Sequence, residues 1–247
     1  MAHVLIAGES WTTTSIHVKG FDMFTTSSYE EGVDALRGAL LAGGNEVTFM
    51  PNHVAAVSFP FSAEELAPYD VVILSDIGSN TLLIPPETFA HSVTLPNRLA
   101  VLRDWTLAGG GFAMVGGYFS FQGIEAKANY RATPIASVLP VELELGDDRV
   151  ESPESAVPRL LDGSHPVTSG LPEEWPAVLG YQRVVAKPEA TVLAEVNGDP
   201  LVVAAEAGRG RTLAYTTDIG PHWAPPAFLD WPGYTTLWNQ AARWLAG

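Results

Sequence analysis

The chain has 247 residues, of which 47% are apolar and 17% charged, a balance that supports one extensive buried core. Its 13 basic and 28 acidic side chains leave a net charge of -15, which repels phosphate backbones and anionic lipid surfaces and argues against nucleic acid and membrane as partners. The absence of cysteine excludes disulfides, thiolate metal sites and thiol nucleophiles.

The opening "MAHVLIAGES" has no basic segment and no cleavage pattern, so it does not read as a secretory signal. No run approaches the roughly 20 apolar residues of a membrane span. A cytoplasmic protein is the expectation. "HVLIAG" has the pattern of a buried strand ending in glycine, and a long polar segment, Glu9 to Ser28, follows as a loop. "YEEGVDALRGALLAGGNEVTFM" then predicts helix, glycine stop and second strand. Ser28 and Glu31 have capping-box spacing, and Val33, Leu36, Leu40 and Leu41 form an apolar stripe.

A second capping box, Ser62 with Glu65, opens a short helix before "YDVVILSD", whose unbroken apolar run suits a strand covered on both faces. Asn97 is placed to cap a helix carrying Leu99, Leu102 and Trp105, which stops at Gly109-Gly110-Gly111 and returns as the strand "FAMV". This β-α alternation predicts a doubly wound, mostly parallel sheet with helices on both faces. Beyond Gly123 come the shorter strands "LPVELEL", "TVLAEV", "PLVVAAEA" and "RTLAYTTD", the last two joined across "GRG" as a hairpin. They form an antiparallel extension from the C-terminal half. Tyr234, Leu237, Trp238, Ala241 and Leu245 recur at helical spacing and dock a final helix on the sheet. With no linker or repeat, residues 1–247 read as a single domain.

Six segments in order, "GESW", "SDIGSNTL", "GGYFSFQG", "SHPVTSGLP", "GRGRTLAYTTDIGPHW" and "WPGYTTLWNQ", resemble the putative glutamine amidotransferase family with its class I amidotransferase-like domain. The resemblance spans nearly the whole chain. It implies a flavodoxin-like fold with ligands at the carboxyl ends of the strands, where open α/β sheets bind them in general. A class I glutaminase holds a cysteine on the turn after a central strand, and here that turn offers Gly116, Gly117 and Tyr118. Glutaminase activity is therefore excluded, and fold alone does not supply another function.

In such a sheet Glu9, Asp76 and the turn from Gly116 to Ser120 converge along one edge. The backbone N–H groups of "GGYFS" are candidates to hold an anion or oxyanion, or else the glycines only let the strand turn. Ser120 lacks the G-x-S-x-G setting of a strained nucleophile and reads as a loop serine capping the next segment rather than as a nucleophile. The tyrosine of the same turn, Tyr118, is either a pocket residue or a packing residue. The Glu9–Ser28 loop mixes Trp11, His17 and Asp22 with further aromatic residues, which suits a lid over a polar ligand such as a sugar or amino acid, or a contact with a neighbouring subunit.

Asp218 and His222, four apart after a late strand, have the residue types of general acid–base catalysis. His165, before a proline, begins a turn. His17, Asp22, Asp218 and His222 have no metal-binding spacing, and the glycine patterns of nucleotide sites are absent, so neither metal nor cofactor is expected. Two functions follow from this pattern. One is a hydrolase or lyase acting on a small polar metabolite, with Asp218, His222 and Glu9 moving protons. The other is a non-catalytic ligand-binding or scaffold module. The aromatic tail "HWAPPAFLDWPGY" fits a pocket wall or a subunit contact, and a homo-oligomer is expected.

Overall fold

Short apolar runs flanked by glycine form the central strands, which pack on both faces. The computed structural model, which describes residues 1–247, has fourteen strands in all. In the N-terminal half they are β1 (His3–Gly8), β2 (Ser10–Lys19), β3 (Asp22–Glu31), β4 (Glu46–Met50), β5 (Val71–Ser75) and β6 (Gly111–Val115). The C-terminal half adds β7 (Val141–Leu143), β8 (Arg149–Ala156), β9 (Pro158–Leu160), β10 (Val178–Gln182), β11 (Val184–Ala186), β12 (Thr191–Val196), β13 (Asp199–Ala207) and β14 (Gly210–Tyr215). The helices are α1 (Asp34–Ala42), α2 (Asn52–Ser58), α3 (Ala63–Leu66), α4 (Ser79–Leu83), α5 (Pro86–His91), α6 (Arg98–Leu107), α7 (Pro226–Leu229) and α8 (Pro232–Ala246).

Eight strands form one sheet in the order β4-β1-β5-β6-β14-β13-β12-β9. From β4 to β14 neighbours are parallel, and the five strands follow the 2-1-3-4-5 order of flavodoxin-like sheets. The remaining three continue as antiparallel neighbours, with β13 and β14 forming the expected hairpin. Because strand side chains alternate, Val4, Ile6, Val71 and Ile73 join one core with α1 and α8, while Leu5, Ala7, Val72 and Leu74 join a second with α2, α3 and α6. All five apolar positions expected on the docking face of α8 are buried.

Two of the three helix caps are as expected. Ser62 Oγ accepts the Glu65 N–H at 3.3 Å, and Asn97 Oδ1 accepts those of Leu99 and Ala100 at 3.0 and 3.1 Å. The first is not. Ser28 and Glu31 lie in β3, and α1 begins after Val33 with no side-chain cap. Leu41, expected in the apolar stripe of α1, is exposed.

The Glu9–Ser28 segment is not a loop either. It is an antiparallel ribbon, β2 with β3, paired without interruption from Ser10–Glu31 to Lys19–Asp22. Its composition carried the signal: β-branched residues recur through "TTTSIHV", and Gly20, with φ +64°, supplies the reversal. In the aromatic tail Trp223, Phe228 and Tyr234 are buried in the body, while His222 at its start reaches the cavity wall. His165 does begin a turn, accepting the Val167 N–H at 3.2 Å, with its ring on Trp244.

Candidate functional site

The first and third strands of the parallel sheet in chain order, β1 and β5, lie side by side, and each releases an acid at its end. Glu9 and Asp76 both take the left-handed backbone region, with φ of +46° and +45°. That conformation costs a non-glycine residue of order 1 kcal/mol or more, and such strain gathers where side chains are aimed at a site. Gly8 is required beside them: with φ +115°, a Cβ there would stand 1.8 Å from the Ser75 carbonyl oxygen. The strand end can thus approach β5 closely enough for Glu9 N–H to donate to Ser75 O at 2.7 Å.

Above these ends lies a cavity of about 720 Å³ whose wall includes Glu9, Trp11, Asp76, Tyr118, Asp218 and His222. Three carboxyl groups therefore reach one space from the ends of β1, β5 and β14. Ser75 Oγ donates to Glu9 Oε2 at 2.5 Å, and the Phe119 N–H donates to Asp76 Oδ1 at 2.6 Å. Asp218 Oδ1 accepts the N–H groups of Ile219 and Gly220 at 2.7 and 3.1 Å, leaving Oδ2 3.5 Å from His222 Nδ1. The His222 ring meets Tyr118 edge-on at 4.4 Å, and the Arg149 guanidinium stands 4.7 Å from the Tyr118 ring.

Proximity of like charges in a desolvated place sets the proton affinities. Burial, reinforced by the charges of Asp218 and Asp76, pushes the Glu9 carboxyl well up, against the opposing hydrogen bond from Ser75. Burial also pushes Asp76 up to about 6, against the Phe119 amide; the negative Asp218 adds to the rise and His222 opposes it. Glu9 consequently holds its proton more tightly than a carboxyl in water does, and it does so beside the Asp218–His222 pair. No group of three His, Asp or Glu side chains is arranged to hold a metal ion.

Several expected site residues stand elsewhere. Gly116, Gly117 and Ser120 lie behind the wall, where the Gly116 N–H donates to the Tyr215 and Thr217 carbonyls at 2.8 and 3.1 Å and the Gly117 N–H to Gln182 Oε1 at 3.3 Å. Ser120 N–H donates to Gly117 O, and its Oγ accepts the Asp76 N–H at 3.0 Å. The Gly116, Gly117, Phe119 and Ser120 amides of the turn are thus engaged within the fold, and the Ser120 hydroxyl braces the Asp76 backbone. Gly117 has its own steric reason: at φ +144°, a Cβ would come within 2.9 Å of Asp76 Oδ1. His17 and Asp22 sit toward the far end of the β2–β3 ribbon, with His17 stacked on Phe24 at 4.5 Å, outside the cavity wall.

Sequence reasoning also missed residues that the cavity uses. Asn52, directly after β4, donates from Nδ2 to Ser10 O at 2.5 Å and Asp76 O at 3.2 Å, tying three strand ends together. Asn80 and Thr81 reach the wall from α4, and Lys127, paired with Glu125 at 2.5 Å, closes another side. Asn52 was accessible to the same strand-end rule that located Glu9 and Asp76. Gln182 was not, since it reaches the turn only because β10 packs there, its Nε2 donating to Gly117 O at 2.5 Å.

A model of the putative glutamine amidotransferase family matches residues 3–247. The chain belongs to this family. Among solved structures, the cytoplasmic protein STM3548 from Salmonella typhimurium is 45% identical, with 98% of each chain covered and a TM-score of 0.95. The cytoplasmic protein STM1381 from Salmonella typhimurium LT2 is 44% identical over 98% of this chain and 99% of that one, again at 0.95. A ThuA-like protein from Parabacteroides merdae shares the fold at 14% identity, with 99% and 90% coverage and a TM-score of 0.63. No curated protein matches the chain. This family member has the amidotransferase architecture without a cysteine to perform sulfur attack. No helix is long and apolar enough to cross a membrane.

Proposed function

We propose that the cavity binds a small polar, hydroxyl-bearing molecule without net negative charge and that Glu9, Asp218 and His222 transfer protons on it in a hydrolase- or lyase-type reaction. One observation carries this reading: the buried Glu9 carboxyl, driven by its surroundings to bind its proton more tightly, shares the cavity with Asp218 and His222, whose Oδ2 and Nδ1 stand 3.5 Å apart. Titratable groups whose surroundings drive them apart are the equipment for supplying one proton and removing another. Asp76 and Asp218 outnumber the lone lysine of the wall, Lys127, and disfavour an anionic ligand, while Trp11, Tyr118 and Phe119 offer apolar surface to its carbon skeleton. A cytoplasmic setting, where such metabolites are found, is part of the proposal.

Turnover of a panel of neutral polyols, sugars and hydroxylated amides is the test, with product detected by mass spectrometry. Replacing His222 with alanine should lower kcat on the responding compound by roughly 10²–10⁴-fold, the usual contribution of a positioned acid–base group. The imidazole side chain is 42% exposed, so Tm should barely move. Thermal stabilisation by a compound that is never converted would instead assign the cavity to binding alone. Ammonia release from glutamine should be absent, and a thiol-directed glutamine analogue should leave the protein unlabelled, because the chain offers no sulfur nucleophile.

A further inference from the structure

The β2–β3 ribbon is anchored only near its base, where Ser10 meets Asn52 and the Tyr29 ring packs on His53 at 5.4 Å. Every residue from Trp11 to Glu31 is exposed. Pairing places Thr12, Thr14, Ile16 and Val18 on one face with Tyr29, Ser27, Thr25 and Met23 opposite them. Toward its outer end that face is apolar: Ile16, Val18 and Met23 are 66%, 67% and 69% exposed, and Phe21 at the turn is fully so. A lone two-stranded ribbon is marginal in water, and an uncovered apolar face makes it more so.

We propose that this face is covered by a second copy of the chain, the ribbon acting as a dimerisation arm. Charge selects that occupant. The molecule as a whole carries -15, which opposes self-association, but between Trp11 and Tyr29 the only charged side chains are Lys19 and Asp22, which cancel. The arm is thus an extended surface on which two copies meet without net repulsion, and apolar, self-complementary faces suit a two-fold contact. A two-fold contact sets the same face of both copies together, so Ile16, Val18 and Met23 of one arm meet their equivalents on the other. The arm leaves the body at Glu9 and carries Trp11 in the cavity wall, so association steadies one side of the pocket.

Sedimentation equilibrium of the full chain tests the proposal. The wild type should have a mass of two or more 26.4 kDa chains, and a variant combining Ile16→Ser, Val18→Ser and Met23→Ser should sediment as one. The unfolding midpoint of the body should be retained in dilute solution, because those side chains lie on the exposed ribbon and belong to neither core. Hydrogen exchange gives an independent reading: amides from Thr12 to Ser28 should exchange more slowly as wild-type concentration rises. A wild type that stays monomeric at all concentrations, as expected if another kind of macromolecule covers the arm, overturns the proposal. So does a triple variant with wild-type mass.

Discussion

Replacing Arg98 with alanine should destabilise the fold by about 3 to 5 kcal/mol, the range for leaving a buried charged hydrogen-bond network without its donor. Arg98 is fully buried, yet no carboxylate pairs with it at close range. It donates only to carbonyls: Nε to Leu82 at 2.7 Å, Nη1 to Ala55 at 3.0 Å, and Nη2 to Ala56 and Thr81, each at 3.0 Å. The guanidinium also lies 4.8 Å from the Phe61 ring. Burial pulls its pKa down to about 10, which leaves it cationic in neutral solution. Those carbonyls belong to α2 and to the α4 segment, where carbonyl oxygens near the negative helix end attract a cation. One side chain therefore joins the helix that begins at Asn52 to the helix that carries Asn80 and Thr81 into the cavity. A loss of this size corresponds to roughly 10 °C in Tm for a chain of this length. Arg98→Lys should recover only part of it, since an ammonium lacks the planar fork that reaches several carbonyls. A Tm within experimental error of wild type for the alanine variant would remove Arg98 from this role.

The second large effect is a stability that falls as pH rises through the acidic range. Glu9 and Asp76 both bind protons more tightly in the folded chain than carboxyls do in water, Asp76 at about 6 against an ordinary 3.8. Between those two values the folded state holds a proton that the unfolded state has released, so stability decreases with increasing pH. Below the lower value both states are protonated and the penalty vanishes. Above the upper value it is fully present. For Asp76 the penalty is of order 2 kcal/mol, somewhat less than the full shift implies because the site opens to solvent. Asp76→Asn should then be more stable than wild type at pH 8 and equal to it at pH 4, by urea denaturation across that span. Glu9→Gln should behave in the same direction. Asp148, pushed by burial to about 6 while accepting the Gln122 and Gly123 amides, adds a parallel slope, so the difference between wild type and each variant is the quantity to compare. Superimposable pH profiles for wild type and both variants would show that neither carboxyl holds its proton in the fold. On the proposed reaction, the Glu9 variant gains stability and loses turnover, the usual opposition where a site stores unfavourable electrostatics.

The central sheet was legible because its signals are local or periodic. The runs "HVLIAG", "VVILS" and "FAMV" are apolar over strand-length spans, and Asn97 and Ser62 mark helix starts by chemistry that acts within three residues. The misread element failed for a related reason. The arm lacks the hydrophobic–polar contrast that a half-buried strand shows, since both of its faces are exposed, and its polar threonines and serines resemble loop composition. Its β-branched content was the better guide.

The chain's own order of residues determined the doubly wound sheet, the loss of thiol chemistry, and the placement of Glu9, Asp76, Asp218 and His222 after strand ends, because periodicity, composition and strand connectivity are written along the polymer. Only the folded arrangement decided which neighbours those groups keep. Gln182 and the Tyr215 and Thr217 carbonyls take up the turn amides, Ser120 becomes a brace, Arg98 joins two helices, and His17 and Asp22 are carried out along the arm. Each of these outcomes depends on hydrogen bonds or distances between residues far apart in sequence, and burial at such meeting points alters proton affinity by amounts that no single residue's identity contains.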